Sequence, residues 1–142
     1  MPSDDWIKDG DDTFWNLGIE ENPQKNKKHD PCPDGWRIPT AFEMSSLVDY
    51  AAREWTERNG LRGYLLSAKP EDKDSDFSLF LPAGGRINVS DGKAYDRNTE
   101  AYYWTISGSS GNSSYLYFFS NNLSINKQGS RAGGCLLRCI KE

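Results

Sequence analysis

No run of apolar residues in this 142-residue chain approaches the roughly 20 that a helix needs to cross a bilayer, so none of it reads as a membrane-spanning helix. A basic start followed by an apolar stretch is also missing, and the sequence reads without a signal peptide. Positive charge is in short supply: 17 Lys and Arg against 21 Asp and Glu leave a formal net charge of -4, which argues against a general nucleic-acid or anionic-membrane surface. The one histidine, His29, lies in a polar stretch beside Lys27, Lys28 and Asp30 and reads as a surface residue rather than a general base. Nor is there a nucleophile elbow, a phosphate-cradling glycine loop or a paired carboxylate at a useful spacing. His29 and three cysteines, Cys32 far from the other two, do not make a four-ligand zinc set. These gaps leave little from which to build an active site, and no cofactor is expected.

Large rings are plentiful. Five Trp, seven Tyr and six Phe make 13% of the chain aromatic, which supports a globular protein that buries rings. The length suits one domain, 1–142, in which 1–29 read as short strands and loops anchored by Trp6, Phe14, Trp15, Leu17 and Ile19. A helix is expected over 41–58, where Met44, Leu47, Val48, Ala51 and Trp55 fall on one face, with Asn59-Gly60 as its stop. Strands are expected at 61–66, 78–81, 86–89, 101–106, 114–119, 122–126 and 135–140, with Asp91-Gly92 as a hairpin turn. One helix followed by short antiparallel strands is an α+β arrangement. No internal repeat is visible.

The stretch Asp30-Pro31-Cys32-Pro33-Asp34-Gly35-Trp36-Arg37-Ile38-Pro39-Thr40 is the most constrained in the chain. Its prolines restrict their own φ and push the residues before them toward extended backbone, and Gly35 permits a turn that leads Trp36 and Ile38 toward a core. Thr40 and Glu43 have capping-box spacing for the helix that follows. Cys135 and Cys139 lie four apart in an apolar run; on a strand they would be about 13 Å apart, beyond disulfide reach. That leaves Cys32 to form any long-range bond, or all three thiols reduced.

The run DPCPDGWRIPT, a downstream Tyr103-Trp104-Thr105, an aromatic strand and the closing RAGGCLLRCIKE occur in an order that resembles the Fibrobacter succinogenes major paralogous domain, from about residue 30 to 141. The resemblance implies a C-type-lectin-like fold with the helix packed on short twisted antiparallel strands. It favours a Cys32–Cys139 disulfide and leaves Cys135, where the family carries an aromatic or other apolar residue, as a small buried hydrophobe. The family is abundant in surface and secreted proteins of gut bacteria, and related lectin-like modules serve as variable ligand-binding proteins of diversity-generating retroelements. The implied role is a non-catalytic ligand-binding or adhesion module, extracellular, at the cell surface or on a virion, with a protein or glycan surface as partner. A structural or assembly domain of a fimbria, phage tail or surface protein is the alternative, and a cysteine-dependent formylglycine-generating-like enzyme comes third.

Segment 105–130 is set apart by its composition. It holds one charged residue, Lys127, while 27% of the chain is charged, and 15 of the 24 residues in 107–130 are Ser, Asn or Gly. Interleaved rings give contact area at low entropic cost and Ser and Asn give adaptable hydrogen bonds, a paratope-like mixture. Strand alternation puts Tyr115, Tyr117 and Phe119 on one face and Leu116 and Phe118 on the other; the resemblance turns the second pair inward. The candidate ligand-binding residues are therefore Ser107, Ser110, Asn112, Ser114, Tyr115, Tyr117, Phe119, Asn121, Asn122, Ser124 and Asn126. The plainer alternative is that the outer rings pack beneath a neighbouring loop. Asp72, Asp74 and Asp76 begin a calcium-loop pattern that fails where Phe77 and Ala83 stand in place of glycine and a bidentate acid, and they read as a solvated acidic loop. The carboxylate-proline triplets that calcium-dependent sugar-binding lectins use are missing too, so lectin-like folding does not by itself deliver sugar binding.

Overall fold

The computed structural model describes residues 11–109 and 112–142. The one helix, α1 (Ala41–Tyr50), starts where Thr40 Oγ1 accepts the Glu43 N–H at 3.1 Å and Glu43 Oε2 accepts the Thr40 N–H at 2.9 Å. This is the capping box that the sequence spacing predicts. Glu43 is held in turn by a two-pronged ion pair from Arg37, so the Trp36-Arg37-Ile38-Pro39-Thr40 run fixes the helix start from both sides. Met44, Val48 and Ala51 are buried, and Leu47 packs partly buried against them.

The helix ends eight residues earlier than the apolar spacing predicts. Residues Ala52–Arg58 form strand β2, paired antiparallel with β3 (Leu61–Ser67), which pairs with β4 (Ser78–Pro82). Asn59 and Gly60, with φ of 52° and 77°, are the consecutive left-handed residues of a two-residue hairpin, not a helix stop. Trp55 fits the helical stripe and the strand equally well by position. Tertiary packing decides: from β2 its ring meets Tyr64 edge-on at 5.2 Å and Phe118 at 6.3 Å.

A second sheet is built from β7 (Glu100–Ser109), β8 (Asn112–Phe119) and β9 (Asn122–Ser130), ordered as they occur in the chain and antiparallel throughout. The two sheets and α1 enclose one core, with Leu66, Leu81, Ala101, Tyr103, Leu116 and Phe118 at its centre. Two small pairs complete the α+β arrangement, β5 (Arg86–Ile87) with β6 (Ala94–Tyr95), and β1 (Trp36–Arg37) with β10 (Ile140–Lys141). Asp91-Gly92 lies within the β5–β6 connection, as its turn chemistry predicts.

The Cys32–Cys139 disulfide is present and spans 107 positions, leaving Cys135 free. The expected strand over 135–140 is instead split. Leu136 bridges in parallel to the edge of β7, donating its N–H to the Tyr102 carbonyl at 2.7 Å and accepting from the Trp104 N–H at 2.9 Å. The chain then leaves that edge to reach β1, which is what brings Cys139 to Cys32. Around this knot Asp30 accepts the N–H groups of Cys32 and Ile38, and the Lys25 ammonium donates to the carbonyls of Cys32, Pro33 and Trp36 at 2.6–2.8 Å. Ile38 is fully buried, but Trp36 is 42% exposed, a correction to the expected inward pair: β1 is only two residues long and lies at the molecular edge.

No helix among the described residues is long and apolar enough to cross a membrane. Asp72, Asp74 and Asp76 are exposed, and no group of three or more His, Cys, Asp or Glu among the described residues is placed to hold a metal.

Candidate functional site

Register fixes which side chains share a face of the β7–β8–β9 sheet. Ala101 stands opposite Phe118 and Tyr103 opposite Leu116, and all four are buried in the core. Tyr102 therefore stands opposite Tyr117 and Trp104 opposite Tyr115 on the other face, with Phe119 beside Glu100. The alternation read from the sequence holds, with Leu116 and Phe118 inward and wholly covered. Across β8, Asn122 and Ser124 of β9 stand opposite Phe119 and Tyr117, so they share the ring-bearing face.

The five rings make a continuous ladder. Tyr102 lies 5.0 Å from Tyr117 and 5.7 Å from Tyr115, Trp104 meets Tyr115 edge-on at 5.6 Å, and Tyr117 lies 5.8 Å from Phe119. Such tilted and edge contacts are favourable for ring quadrupoles and hold the rings in place before any ligand arrives. Tyr115, Tyr117 and Phe119 are half-buried, so each keeps part of its surface in solvent. Gly129 of β9 lies beneath Tyr115, where an added Cβ would come 3.0 Å from the ring.

Tyr102 and Trp104, in contrast, are only 8% and 6% exposed. The Arg86 guanidinium lies over the Tyr102 ring at 5.1 Å, Leu136 bonds to the edge of β7, and Gly134 bonds to Ile87 of β5. A bay of about 150 Å³ remains between the β5–β6 hairpin and the rings, with Arg86, Asn88, Tyr102, Trp104, Tyr115 and Cys135 in its lining. The β7 rings are thus covered, while Tyr115, Tyr117 and Phe119, the rings that the plainer expectation would place beneath a loop, are half-buried, Tyr115 in the lining of the bay.

Burial raises the pKa values of the phenols on this face. Burial, with a hydrogen bond from the Tyr102 hydroxyl to Glu100 at 2.6 Å, raises the Tyr102 pKa well above that of a free phenol. Burial also raises Tyr115 and Tyr117, the latter aided by Glu100. Cys135 is half-buried rather than sealed, and burial pushes its thiol up to about 12, so at neutral pH it is a protonated, poor nucleophile.

The remaining candidates separate. Asn112, Asn121 and Asn122 are exposed and Ser124 is half-buried, and the Asn122 side chain donates to Ser124 Oγ at 3.4 Å. Asn126 lies in β9. Ser110 lies outside the described residues, as does Trp6.

Two candidates are tied into the fold, Ser114 buried and Ser107 half-buried. Ser114 is 4% exposed because alternation gives it the inward face of Leu116 and Phe118, and its carbonyl accepts from the buried Thr105 hydroxyl. Ser107 Oγ accepts the Ala41 N–H at 2.8 Å, and its hydroxyl donates to Glu20, whose other oxygen accepts the Phe42 N–H at 3.0 Å. Its work is to cap α1. Sequence reading missed Tyr102, Trp104 and Arg86; the alternation of Tyr102 and Trp104 with Ala101, Tyr103 and Thr105 carried the first two, whereas Arg86 reaches the face only through the β5–β6 hairpin.

A cleft of about 410 Å³ has Ser107 and Ser114 in its lining; another, of about 350 Å³, adjoins the bay and shares Trp104 and Cys135 with it, and Phe14, Trp15, Ile106 and Leu137 supply most of its other apolar wall. Compared with known protein families, with curated proteins and with solved structures, the chain matches none.

Proposed function

We propose that this chain is a non-catalytic ligand-binding or adhesion module of the C-type-lectin-like type, and that it binds through the open half of the aromatic ladder. The observation that carries this reading is the half-buried trio Tyr115, Tyr117 and Phe119, held by ring contacts to Tyr102 and Trp104 and bordered by Asn122 and Ser124. Rings locked from behind lose little entropy on contact, and polar neighbours at the rim supply exchangeable hydrogen bonds; that combination is what a recognition surface uses. The protonated Cys135 thiol argues against a cysteine nucleophile. The long-range disulfide supports an extracellular, cell-surface or virion setting, since such bonds persist in oxidising compartments. A protein or glycan surface is the partner class that fits an open face without a deep polar pocket.

A second reading has one observation in its favour. Ile87, Val89 and Tyr95 of the β5–β6 hairpin are 41%, 56% and 42% exposed beside the bay, and such a rim suits contact with another subunit of a fimbria, tail or surface assembly. Light scattering across a range of concentrations separates the two: a monomer at high concentration supports ligand binding, and an assembly that Val89→Asp dissolves supports the structural role. The binding reading itself is tested by probing arrays of glycans and displayed peptides with the wild-type protein and with Tyr117→Ala. Flanking DNA with an adenine-biased template repeat and a reverse transcriptase would place segment 107–130 among diversified surfaces.

A further inference from the structure

The 350 Å³ cleft beside Trp104 falls in the size range of small-molecule sites, which bury a ligand in mostly apolar walls with a few polar groups. Its makeup differs from that of the ladder. Three rings line it, Phe14 and Trp15 from the N-terminal turn and Trp104 from β7, and so do three charged residues, Asp11, Asp12 and Arg131. Arg131 is engaged: it donates to Asp12 Oδ1 at 2.5 Å and to Ser113 Oγ at 3.1 Å. Two carboxylates, Asp11 and Asp12, stand against the one guanidinium of Arg131, so the charged residues of the lining are net negative. The Asp11 carboxylate accepts hydrogen bonds from the Thr13 hydroxyl and N–H, which fix its position and hold its pKa below the usual range.

The wall is also held in shape. Asn26 donates its N–H to the Trp15 carbonyl at 3.0 Å and its side-chain amide to the Thr13 carbonyl at 3.1 Å, and the Phe14 ring stacks on His29 at 4.2 Å. Aromatic rings with a nearby carboxylate and no unneutralised cation attract positive charge carried on an apolar body, through the ring quadrupoles and the surplus carboxylate together. From this combination we infer that the Phe14–Trp15–Trp104 cleft is a binding site for small organic cations of the quaternary or methylated ammonium class, separate from the ladder surface.

Three molecules of one shape test it: choline, the neutral 3,3-dimethylbutan-1-ol, and the anionic 3,3-dimethylbutanoate, each titrated into the full chain and followed by the indole N–H resonances and by calorimetry. Choline is expected to shift the Trp15 and Trp104 signals and to bind at least about fivefold more tightly than the alcohol. Asp11→Asn should erase most of that preference, and Trp15→Leu should weaken choline at least about fivefold. Tyr117→Ala should leave choline binding unchanged, so failure of the ladder reading and failure of this one are distinguishable. Equal affinity for choline and the alcohol would overturn the inference, as would tightest binding of the carboxylate or no shift of either indole at saturating choline. Should Trp15→Leu fail to fold, the wild-type comparison and Asp11→Asn still decide.

Discussion

Ser107 Oγ accepts the Ala41 backbone N–H at 2.8 Å across 66 positions of sequence, tying the far end of β7 to the first turn of α1. With Glu20 on Phe42 and Thr40 on Glu43, three of the helix's free N-terminal donors are satisfied by side chains from three different segments. Ser107→Ala is therefore expected to lower stability by about 1 kcal/mol, the usual worth of a lost helix-capping acceptor, and to leave ligand binding unaltered. Paired denaturant melts and binding assays check this; unaltered stability with lost binding would return Ser107 to the recognition surface.

Glu43 predicts a pH dependence. Its hydrogen bonds from Arg37, with those at Thr40, hold its pKa below the ordinary 4.5, so the folded state prefers the ionised carboxylate. The stability it contributes is fully present above that ordinary value and is lost as pH falls through the lowered folded-state value. Glu43→Gln should cost about 1–3 kcal/mol at pH 7, as for a part-buried charge-assisted hydrogen bond, and the gap from wild type should narrow steadily below about pH 4. Urea melts from pH 7 to pH 3 measure it; a gap independent of pH would mean that the carboxylate charge plays no part.

The cysteines predict a labelling pattern. Denaturation without reductant followed by alkylation should add one label, at Cys135, with peptide mapping joining Cys32 to Cys139. In the folded protein Cys135 should react far more slowly than a free thiol, because burial pushes its pKa up to about 12. Reduction should destabilise the fold by up to roughly 4–5 kcal/mol on the chain-entropy account of a loop of this length. Three labels without reductant, or a linked pair containing Cys135, would contradict it.

Much of this arrangement was legible in the sequence where the signal is local. The capping box at Thr40 and Glu43 and the sharing of one strand face by Leu116 and Phe118 each follow from residue types a few positions apart, and the structure keeps them; which face turns inward comes from the family resemblance, not from the alternation. The apolar spacing overextends the helix because Trp55 lies on the 3.6-residue stripe and on the outward-inward alternation alike; the edge contacts with Tyr64, its partner across the β2–β3 hairpin, and with Phe118, distant in sequence, break the tie. Asn59-Gly60 was ambiguous for the same reason, since left-handed residues end helices and turn hairpins. Ser107 and Ser114 read as surface because composition does not say which serine finds a buried partner. The cleft against Phe14 and Trp15 was beyond reach altogether, for it joins the N-terminal turn to a strand some ninety residues on.

The central claim rests on the β8 half of the ladder, and Tyr117 tests it most directly. Its ring is half-buried and pairs with Tyr102 and Phe119, while the core depends on its neighbours Leu116 and Phe118, so truncation removes contact surface and two ring contacts but leaves the core in place. On an array of glycans and displayed peptides, Tyr117→Ala is expected to bind the wild-type ligand at least about tenfold more weakly, as for an aromatic anchor, with a melting temperature close to wild type. Binding that survives Tyr117→Ala at full strength in a folded protein would contradict the account.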